Sequence, residues 1–142
     1  MGIRLSFRKK NIQSEEFCLG KLYYYIDKKE EAESCESIKY LLDLGALQGL
    51  FGDFEDDYYE YDGSDAERFA DICSFCPYQD YGEFFELTKA QARNFITLYA
   101  FDKARLYGGD EDTAREQIAS AFAFMDRQSS LETSIFEFRL GA

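Results

Sequence analysis

Residues 88–107 read TKAQARNFITLYAFDKARLY, and this stretch decides the fold because it carries both the start and the buried face of one long helix. Thr88 stands three residues before Gln91, which is the spacing of a capping box, where each side chain bonds the other residue's backbone N–H. After the box, apolar residues recur at intervals of three and four, as on one face of a helix. They are Ala92, Phe95, Ile96 and Tyr99.

A second helix is predicted directly after the first. Gly108 and Gly109 end the first helix, and the acidic residues 110–112 place negative charge at the positive end of the next. The apolar spacing of three and four then repeats at Ile118, Ala121, Phe122 and Met125. The sequence therefore predicts a helical hairpin over residues 88–127.

Strands are predicted near both ends of the chain and at two places between them. Apolar and polar residues alternate over 3–7 and 136–140, which is the period of a half-buried strand. Segments 17–27 and 82–88 are rich in aromatic and aliphatic residues, so we predict strands there too. The strand at 17–27 is expected to form an antiparallel hairpin with 3–7, and 136–140 is expected to return to this N-terminal sheet.

Two further helices complete the pattern. Residues 28–51 place an apolar stripe behind an acidic face, which predicts one helix that is weakened or ended between Gly45 and Gly52. A shorter helix begins after Ser64 or Asp65 and is closed by Pro77. The order of elements predicts an α+β fold, with a small, mainly antiparallel sheet of about four strands and helices packed on one face. Residues 1–142 are expected to form a single compact domain.

The net charge of −12 is distributed unevenly. Residues 1–30 carry seven Lys or Arg against four Asp or Glu, whereas residues 31–142 carry nine against twenty-four. Such a surface repels phosphate backbones and anionic lipid head groups, because like charges would be brought together. We therefore expect no direct binding to nucleic acid or membrane, and a basic protein as the partner.

The cytoplasm is the predicted location. No stretch approaches the roughly 20 apolar residues of a membrane span. The N-terminal residues MGIRLSFRKK are charged where a signal peptide would have its apolar region.

Residues 53–65, DFEDDYYEYDGSD, contain seven carboxylates, three tyrosines and no basic residue. Carboxylates held along a scaffold can imitate phosphates for a groove lined by Lys and Arg, and tyrosines are side chains that anchor interfaces. The alternative is a solvated negative loop whose tyrosines cover the edge of the core. The candidate partner-binding residues are Asp53, Glu55, Asp56, Asp57, Tyr58, Tyr59, Glu60, Tyr61, Asp62 and Asp65.

A calcium loop of the EF-hand type does not fit this acidic run. Such a loop needs glycine at its sixth position and glutamate at its twelfth. Counted from Asp53, these positions hold Tyr58 and Ser64. Only irregular binding of a divalent cation stays open.

The four cysteines are Cys18, Cys35, Cys73 and Cys76. The pair Cys73 and Cys76 has the spacing of a shared metal site or a redox disulfide, and Cys18 and Cys35 would complete a four-sulfur zinc site. However, the latter two are isolated on different predicted elements. We therefore interpret the cysteines as buried structural thiols, with a small structural zinc- or metal-binding protein as the alternative function.

Catalysis finds little support in the sequence. The chain has no histidine, which removes the commonest general base and most catalytic pairs. No phosphate-binding loop or nucleophile motif occurs, and among 28 acidic residues some pairs are expected to lie close by chance. We predict a protein that is not an enzyme and uses no cofactor; an enzyme acting through carboxylates alone is the remaining alternative.

In size, acidity and predicted fold, the chain resembles nucleic-acid-mimicking inhibitors carried by phages and mobile elements, such as anti-CRISPR and anti-restriction proteins. It is equally similar to immunity proteins that neutralise toxin nucleases. The resemblance is one of composition: it is carried by the small size, the net charge and the lack of a catalytic motif, and it covers no specific motif. It implies a non-enzymatic inhibitor that mimics nucleic acid and blocks a basic nucleic-acid-binding protein, such as a nuclease.

Overall fold

The computed structural model describes residues 4–21, 29–55, 63–75 and 84–141. The elements are β1 (Arg4–Lys9), β2 (Phe17–Lys21), α1 (Lys29–Ser34), α2 (Glu36–Leu44), α3 (Gln48–Glu55), α4 (Asp65–Phe75), β3 (Phe85–Thr88), α5 (Lys89–Tyr107), α6 (Glu111–Gln128) and β4 (Ile135–Gly141). Four strands with helices packed on their sheet confirm the predicted α+β fold class. None of the described helices has the length and hydropathy that a membrane span requires.

The sheet has the strand order β2-β1-β4-β3, and each neighbouring pair is antiparallel. Strand β4 lies between β1 and β3, so the last strand returns to the N-terminal hairpin as predicted. In the register, Phe7 of β1 faces Phe138 of β4, which in turn faces Phe85 of β3. Three aromatic side chains therefore form a row across the buried face.

Stacked and edge-on rings connect this row to the helices. The ring centroids of Phe85 and Phe138 lie 4.9 Å apart and those of Phe7 and Phe138 lie 5.1 Å apart. Phe124 of α6 meets Phe7 edge-on at 5.5 Å, and Phe95 of α5 meets Phe138 edge-on at 5.4 Å. Such ring pairs add to the stabilisation that comes from burying apolar area. Both helices of the hairpin are thus packed on one face of the sheet.

The helical hairpin follows the sequence prediction closely. The Thr88 side chain accepts a hydrogen bond from the backbone N–H of Gln91, and the Gln91 side chain accepts one from the backbone N–H of Thr88. Gly108 ends α5 with a φ of 71°, in the left-handed region that glycine adopts without steric cost. Asp110 caps α6 by accepting a hydrogen bond from Thr113 N, and this bond lowers the pKa of the Asp110 carboxyl.

The helix predicted over 28–51 is divided, which corrects the sequence prediction. Helix α1 ends at Ser34, Cys35 is extended with a φ of −74° and a ψ of 114°, and α2 begins at Glu36. Gly45 then ends α2 in the left-handed conformation, as expected. The break lies where the carboxylate of Asp102 in α5 accepts hydrogen bonds from the first residues of α2.

Two strands and the acidic run differ in length from their predictions. Strand β3 begins at Phe85 instead of residue 82, and the described part of β2 covers 17–21, so residues 22–27 of the predicted strand lie outside the described ranges. Pro77, the predicted end of α4, also lies outside them. The acidic run does not begin as a loop, because residues 53–55 form the last turn of α3.

A bulge interrupts the pairing of β1 with β2. Leu5 faces Gly20 and Ser6 faces Cys18, which leaves Leu19 as the extra residue. Gly20 has a φ of 91°, a value that favours glycine. The Leu19 carbonyl accepts hydrogen bonds from Lys103 Nζ at 3.2 Å and Gln117 Nε2 at 3.1 Å. The two helices of the hairpin thus hold this edge strand at its irregular point.

Candidate functional site

The predicted partner-binding residues are divided between described helices and a segment outside the described ranges. Asp53 and Glu55 belong to the last turn of α3, and Asp65 is the exposed first residue of α4. The residues outside the described ranges are Asp56, Asp57, Tyr58, Tyr59, Glu60, Tyr61 and Asp62. The prediction that their acids and tyrosines share a docking surface therefore stays a prediction.

The two helices that flank this segment are braced against each other. Arg68 of α4 donates a hydrogen bond from Nη2 to the Phe51 carbonyl of α3 at 3.1 Å, and its guanidinium lies 4.6 Å from the centre of the Phe51 ring. Ser64 caps α4 by accepting a hydrogen bond from Glu67 N, as predicted for this position. The chain therefore enters and leaves residues 56–62 from helices that are joined by a direct side-chain contact.

Most of the protein's negative charge belongs to the segment that contains these helices. We call residues 29–75, the segment of α1 to α4, the acidic lobe. It carries fourteen Asp or Glu against three Lys or Arg, a net charge of −11 out of the total of −12. The rest of the chain is nearly neutral, with fourteen acidic and thirteen basic residues.

Several carboxylates of the acidic lobe have no cationic partner. In the part of the chain that the structure describes, five of them form no ion pair: Glu30, Glu31, Asp43, Asp65 and Glu67. Three of the five are exposed and two are half-buried. In the hairpin, by contrast, Arg115 pairs with Glu111 at 3.1 Å and with Asp112 at 3.5 Å. Within the described ranges, the acidic lobe thus holds several carboxylates whose charge no ion pair compensates.

Tertiary packing brings these carboxylates onto one body. Helix α4 packs against α1 and α2, and the buried side chains between the lobe helices include Ile38, Leu41 and Phe69, each fully buried. The Phe69 ring stacks on Phe84, just before β3, with centroids 5.7 Å apart. The acids of α1, α2 and α4 are therefore carried on a packed scaffold that is attached to the sheet.

Asp102 of α5 attaches α2 to the hairpin and explains the break at Cys35. Its carboxylate is 4% exposed and accepts hydrogen bonds from Glu36 N at 3.2 Å, Ser37 N at 2.8 Å and Ser37 Oγ at 2.6 Å. The first N–H groups of a helix have no partner within the helix. Cys35 provides no side-chain cap, so a residue from another helix supplies it.

Cys35 is a buried thiol, as the sequence interpretation expected. Its Sγ donates a hydrogen bond to the Glu31 carbonyl at 3.3 Å. Burial, reinforced by the negative charge of Asp102, raises the pKa of Cys35 to about 12. Because zinc is bound by the thiolate, this environment disfavours Cys35 as a metal ligand.

The other cysteines divide between an exposed position and positions without described side chains. Cys18 is exposed on β2, which corrects the interpretation of this residue as a buried thiol; its position opposite Ser6 turns it away from the core. Cys73 belongs to α4, but its side chain, like the whole of Cys76, lies outside the described parts. Among the described residues, no three His, Cys, Asp or Glu side chains converge as a metal site would require.

Sequence reasoning named the residues of the run 53–65 and included the neighbouring acidic faces only in general terms. It did not name Glu30, Glu31, Asp43 or Glu67 as candidate residues. The signal that could have found them is the charge count over 29–75, which holds almost the whole net charge in one third of the chain. That these acids share one body depends on the packing of α4 on α1 and α2.

Comparisons with known proteins add no relative. No protein-family model matches the chain, and neither a curated protein nor a solved structure matches it significantly.

Proposed function

We propose that this protein is a non-enzymatic, acidic inhibitor that mimics nucleic acid and blocks a basic nucleic-acid-binding protein. The observation that carries the proposal is the concentration of charge in the acidic lobe: residues 29–75 carry a net charge of −11, and five of the carboxylates that the structure describes there form no ion pair. A charge run in a disordered tail would attract many basic proteins. Carboxylates on a packed scaffold can instead match the spacing of one partner's cationic groups.

The expected mechanism is electrostatic steering followed by docking. Several carboxylates without ion pairs on one packed body create a negative potential that attracts a Lys- and Arg-lined cleft over a Debye length, about 8 Å at physiological salt. On contact, the carboxylates take the places that phosphates would occupy against the cleft. Tyr58, Tyr59 and Tyr61 are proposed to supply the aromatic contacts that charge alone does not provide.

Two kinds of partner fit this chemistry. One is a nuclease of a cellular defence system, the target class of anti-CRISPR and anti-restriction proteins. The other is a toxin nuclease, the target class of immunity proteins. Both present a basic cleft that evolved for a phosphate backbone, so the acidic lobe would compete with nucleic acid for the same surface.

The test measures binding to purified basic nucleases, one at a time, with the protein immobilised. For a true partner we expect the dissociation constant to rise at least about tenfold between about 50 and 200 mM NaCl. Nucleic acid substrate should compete for the partner. The variant Asp56→Asn/Asp57→Asn/Glu60→Gln should bind at least about tenfold more weakly, because each neutralised contact removes favourable Coulomb energy.

Matched controls separate the acidic lobe from charge in general. The double variant Glu30→Gln/Asp43→Asn removes two exposed charges of the lobe and should also bind more weakly than wild type. Glu16→Gln/Glu116→Gln removes two exposed charges outside the lobe and should leave binding within about twofold of wild type. Binding that ignores salt, that is not displaced by nucleic acid, or that falls equally in both double variants contradicts the proposal.

A further inference from the structure

The sheet has a polar face opposite the helices, which we call the outer face. Alternate residues of β1 and β4 point to it: Arg4, Ser6 and Arg8 from β1, and Glu137 and Arg139 from β4. Cys18 of β2 and Glu86 of β3 extend it to the two edges. In an acidic protein, this face carries an excess of arginine.

One half of the outer face is neutralised by its own ion pairs. Arg8 pairs with Glu137 through Nε at 3.1 Å, and these two residues face each other across β1 and β4. Glu86 stands opposite Glu137 on the next strand and pairs with Lys10 at 3.0 Å. Two cations and two carboxylates therefore form a row of ion pairs across β1, β4 and β3, and such cross-strand pairs stabilise the pairing of strands.

The other half holds two arginines without a carboxylate. Arg139 faces Ser6, and Arg4 faces Gly141, so the two arginines are diagonal neighbours on adjacent strands. Residues related in this way lie about 7–8 Å apart, with their Cβ atoms somewhat closer, so two long side chains can reach one small ligand between them. Among the described residues, neither arginine has an ion-pair or hydrogen-bond partner. Arg4 and Cys18 are exposed and Ser6 and Arg139 are half-buried, so solvent reaches part of this end.

Arg139 has a donor that no described residue satisfies. Its Nε is buried and has no hydrogen-bond acceptor among the described residues. Leaving a buried donor of a charged group unpaired costs free energy that folded proteins normally recover through a partner. An arginine in this state, beside a second unpaired arginine and a hydroxyl group, has the donors of a tetrahedral oxyanion site.

We propose that Arg4, Arg139 and Ser6 form a binding site for the phosphate group of a small ligand, independently of the function proposed for the acidic lobe. The two guanidinium groups donate charge-assisted hydrogen bonds to the phosphate oxygens, and the Ser6 hydroxyl, between them in register, donates a third. Gly141 opposite Arg4 has no side chain to fill the space.

A small ligand fits better than a nucleic acid strand because of the charge distribution. Salt screens the charges that lie farther from a single bound phosphate than a Debye length, about 8–10 Å, so the two arginines contribute most of the electrostatic potential that acts on it. A polymer would extend its phosphates over neighbouring surface of a protein with net charge −12, and each further phosphate would be repelled. The proposed ligand is therefore a free phosphate or a phosphate monoester such as a mononucleotide.

The test is a titration of the whole protein with inorganic phosphate, AMP and a short single-stranded oligonucleotide, followed by amide chemical shifts. We expect phosphate and AMP to bind with a dissociation constant on the order of 1 mM in low-salt buffer. The largest shifts should occur at Ser6, Cys18 and Arg139. The oligonucleotide should bind no more tightly than AMP.

Single substitutions decide whether the two arginines are responsible. Arg4→Gln and Arg139→Gln should each weaken phosphate binding at least about fivefold. Because Arg4 is exposed, its substitution removes one guanidinium group without disturbing a buried group. Arg115→Gln on α6 makes the same change of charge elsewhere and should bind as wild type does. The proposal is overturned if phosphate does not bind, if Arg4→Gln binds as wild type does, or if the oligonucleotide binds more tightly than AMP.

Discussion

Asp102 is a buried carboxylate whose hydrogen-bond donors lie on a different helix from its own. It joins Glu36 N and Ser37 at the start of α2 to the second-last turn of α5, and Arg105 approaches it at 3.6 Å. A negative charge at a helix N-terminus interacts favourably with the helix dipole and satisfies free N–H groups. One residue therefore ends α1, starts α2 and attaches the acidic lobe to the hairpin.

We expect Asp102→Ala to lower the free energy of unfolding by about 2–3 kcal/mol, because it removes a cap and leaves buried donors without acceptors. Urea unfolding followed by circular dichroism measures this change. Asp43→Ala, an exposed position on α2 without an ion pair in the described chain, should change stability by less than about 0.5 kcal/mol. Equal losses in the two variants would show that the trans-helix cap is unimportant.

At the scale of elements, the start of α5 is tied to the end of α6 and to the turn before β4. Lys89 is 3% exposed; its Nζ donates to the Ser129 carbonyl at 2.8 Å and pairs with Asp126 at 2.7 Å. Arg93 forms a bidentate ion pair with Glu132, in which its Nη1 and Nη2 donate to the two carboxylate oxygens. Hydrogen bonding from Lys89 lowers the pKa of Asp126, and hydrogen bonding from Arg93 lowers that of Glu132.

These lowered pKa values predict a pH dependence of stability. A carboxyl group with a lower pKa in the folded state stabilises the fold above its unfolded pKa, and this contribution is lost as pH falls through the folded pKa. The double variant Asp126→Asn/Glu132→Gln should therefore be less stable than wild type at pH 7, and the two should converge between about pH 5 and pH 2. Urea unfolding at several pH values measures both curves.

A control on the same helix distinguishes these ion pairs from general acid effects. Glu116 is exposed on α6 and forms no ion pair within the described ranges. The free energy of unfolding of Glu116→Gln should differ from that of wild type by a constant amount over the whole pH range. A double variant whose difference from wild type stayed constant with pH would contradict the role of Lys89 and Arg93.

At the scale of the whole molecule, charge is divided between an acidic lobe of −11 and a nearly neutral remainder. Like charges concentrated in one third of the chain repel one another and destabilise the folded state, and salt screens this repulsion. The same crowding supplies the attraction for a basic partner. Stability and binding should therefore respond to salt in opposite directions.

We expect the melting temperature of the free protein to rise by about 4 °C between low and moderate NaCl, a shift that corresponds to ~1 kcal/mol for a domain of this size. Glu30→Gln/Asp43→Asn should melt higher than wild type at low salt and show a smaller rise. Glu16→Gln/Glu116→Gln, with the same loss of charge outside the lobe, should keep the wild-type rise. Thermal unfolding over a salt series measures this, and identical curves for both variants would exclude lobe repulsion.

Local signals predicted most of the fold. The capping box at Thr88, the glycine at 108 and the alternation over 136–140 act on atoms a few residues away, so they can be interpreted without knowing the rest of the chain. The candidate site was predicted in part for the same reason. A run of seven acids in 53–65 is visible in sequence, whereas the acids at 30, 43 and 67 are brought onto one body only by the packing of α4 on α1 and α2.

The sequence by itself determined the α+β class, the hairpin, the return of the last strand and the acidity of the chain, because periodicity, caps and charge are local or additive properties. Only the tertiary structure decided the break at Cys35, the exposure of Cys18 and the pairing state of each charge. Those features depend on contacts between distant residues: Asp102 reaches Ser37 across 65 positions, and Arg4 meets the end of the chain. A carboxylate or guanidinium is neutralised or left free by its neighbours in space, and these are known only once the chain is folded.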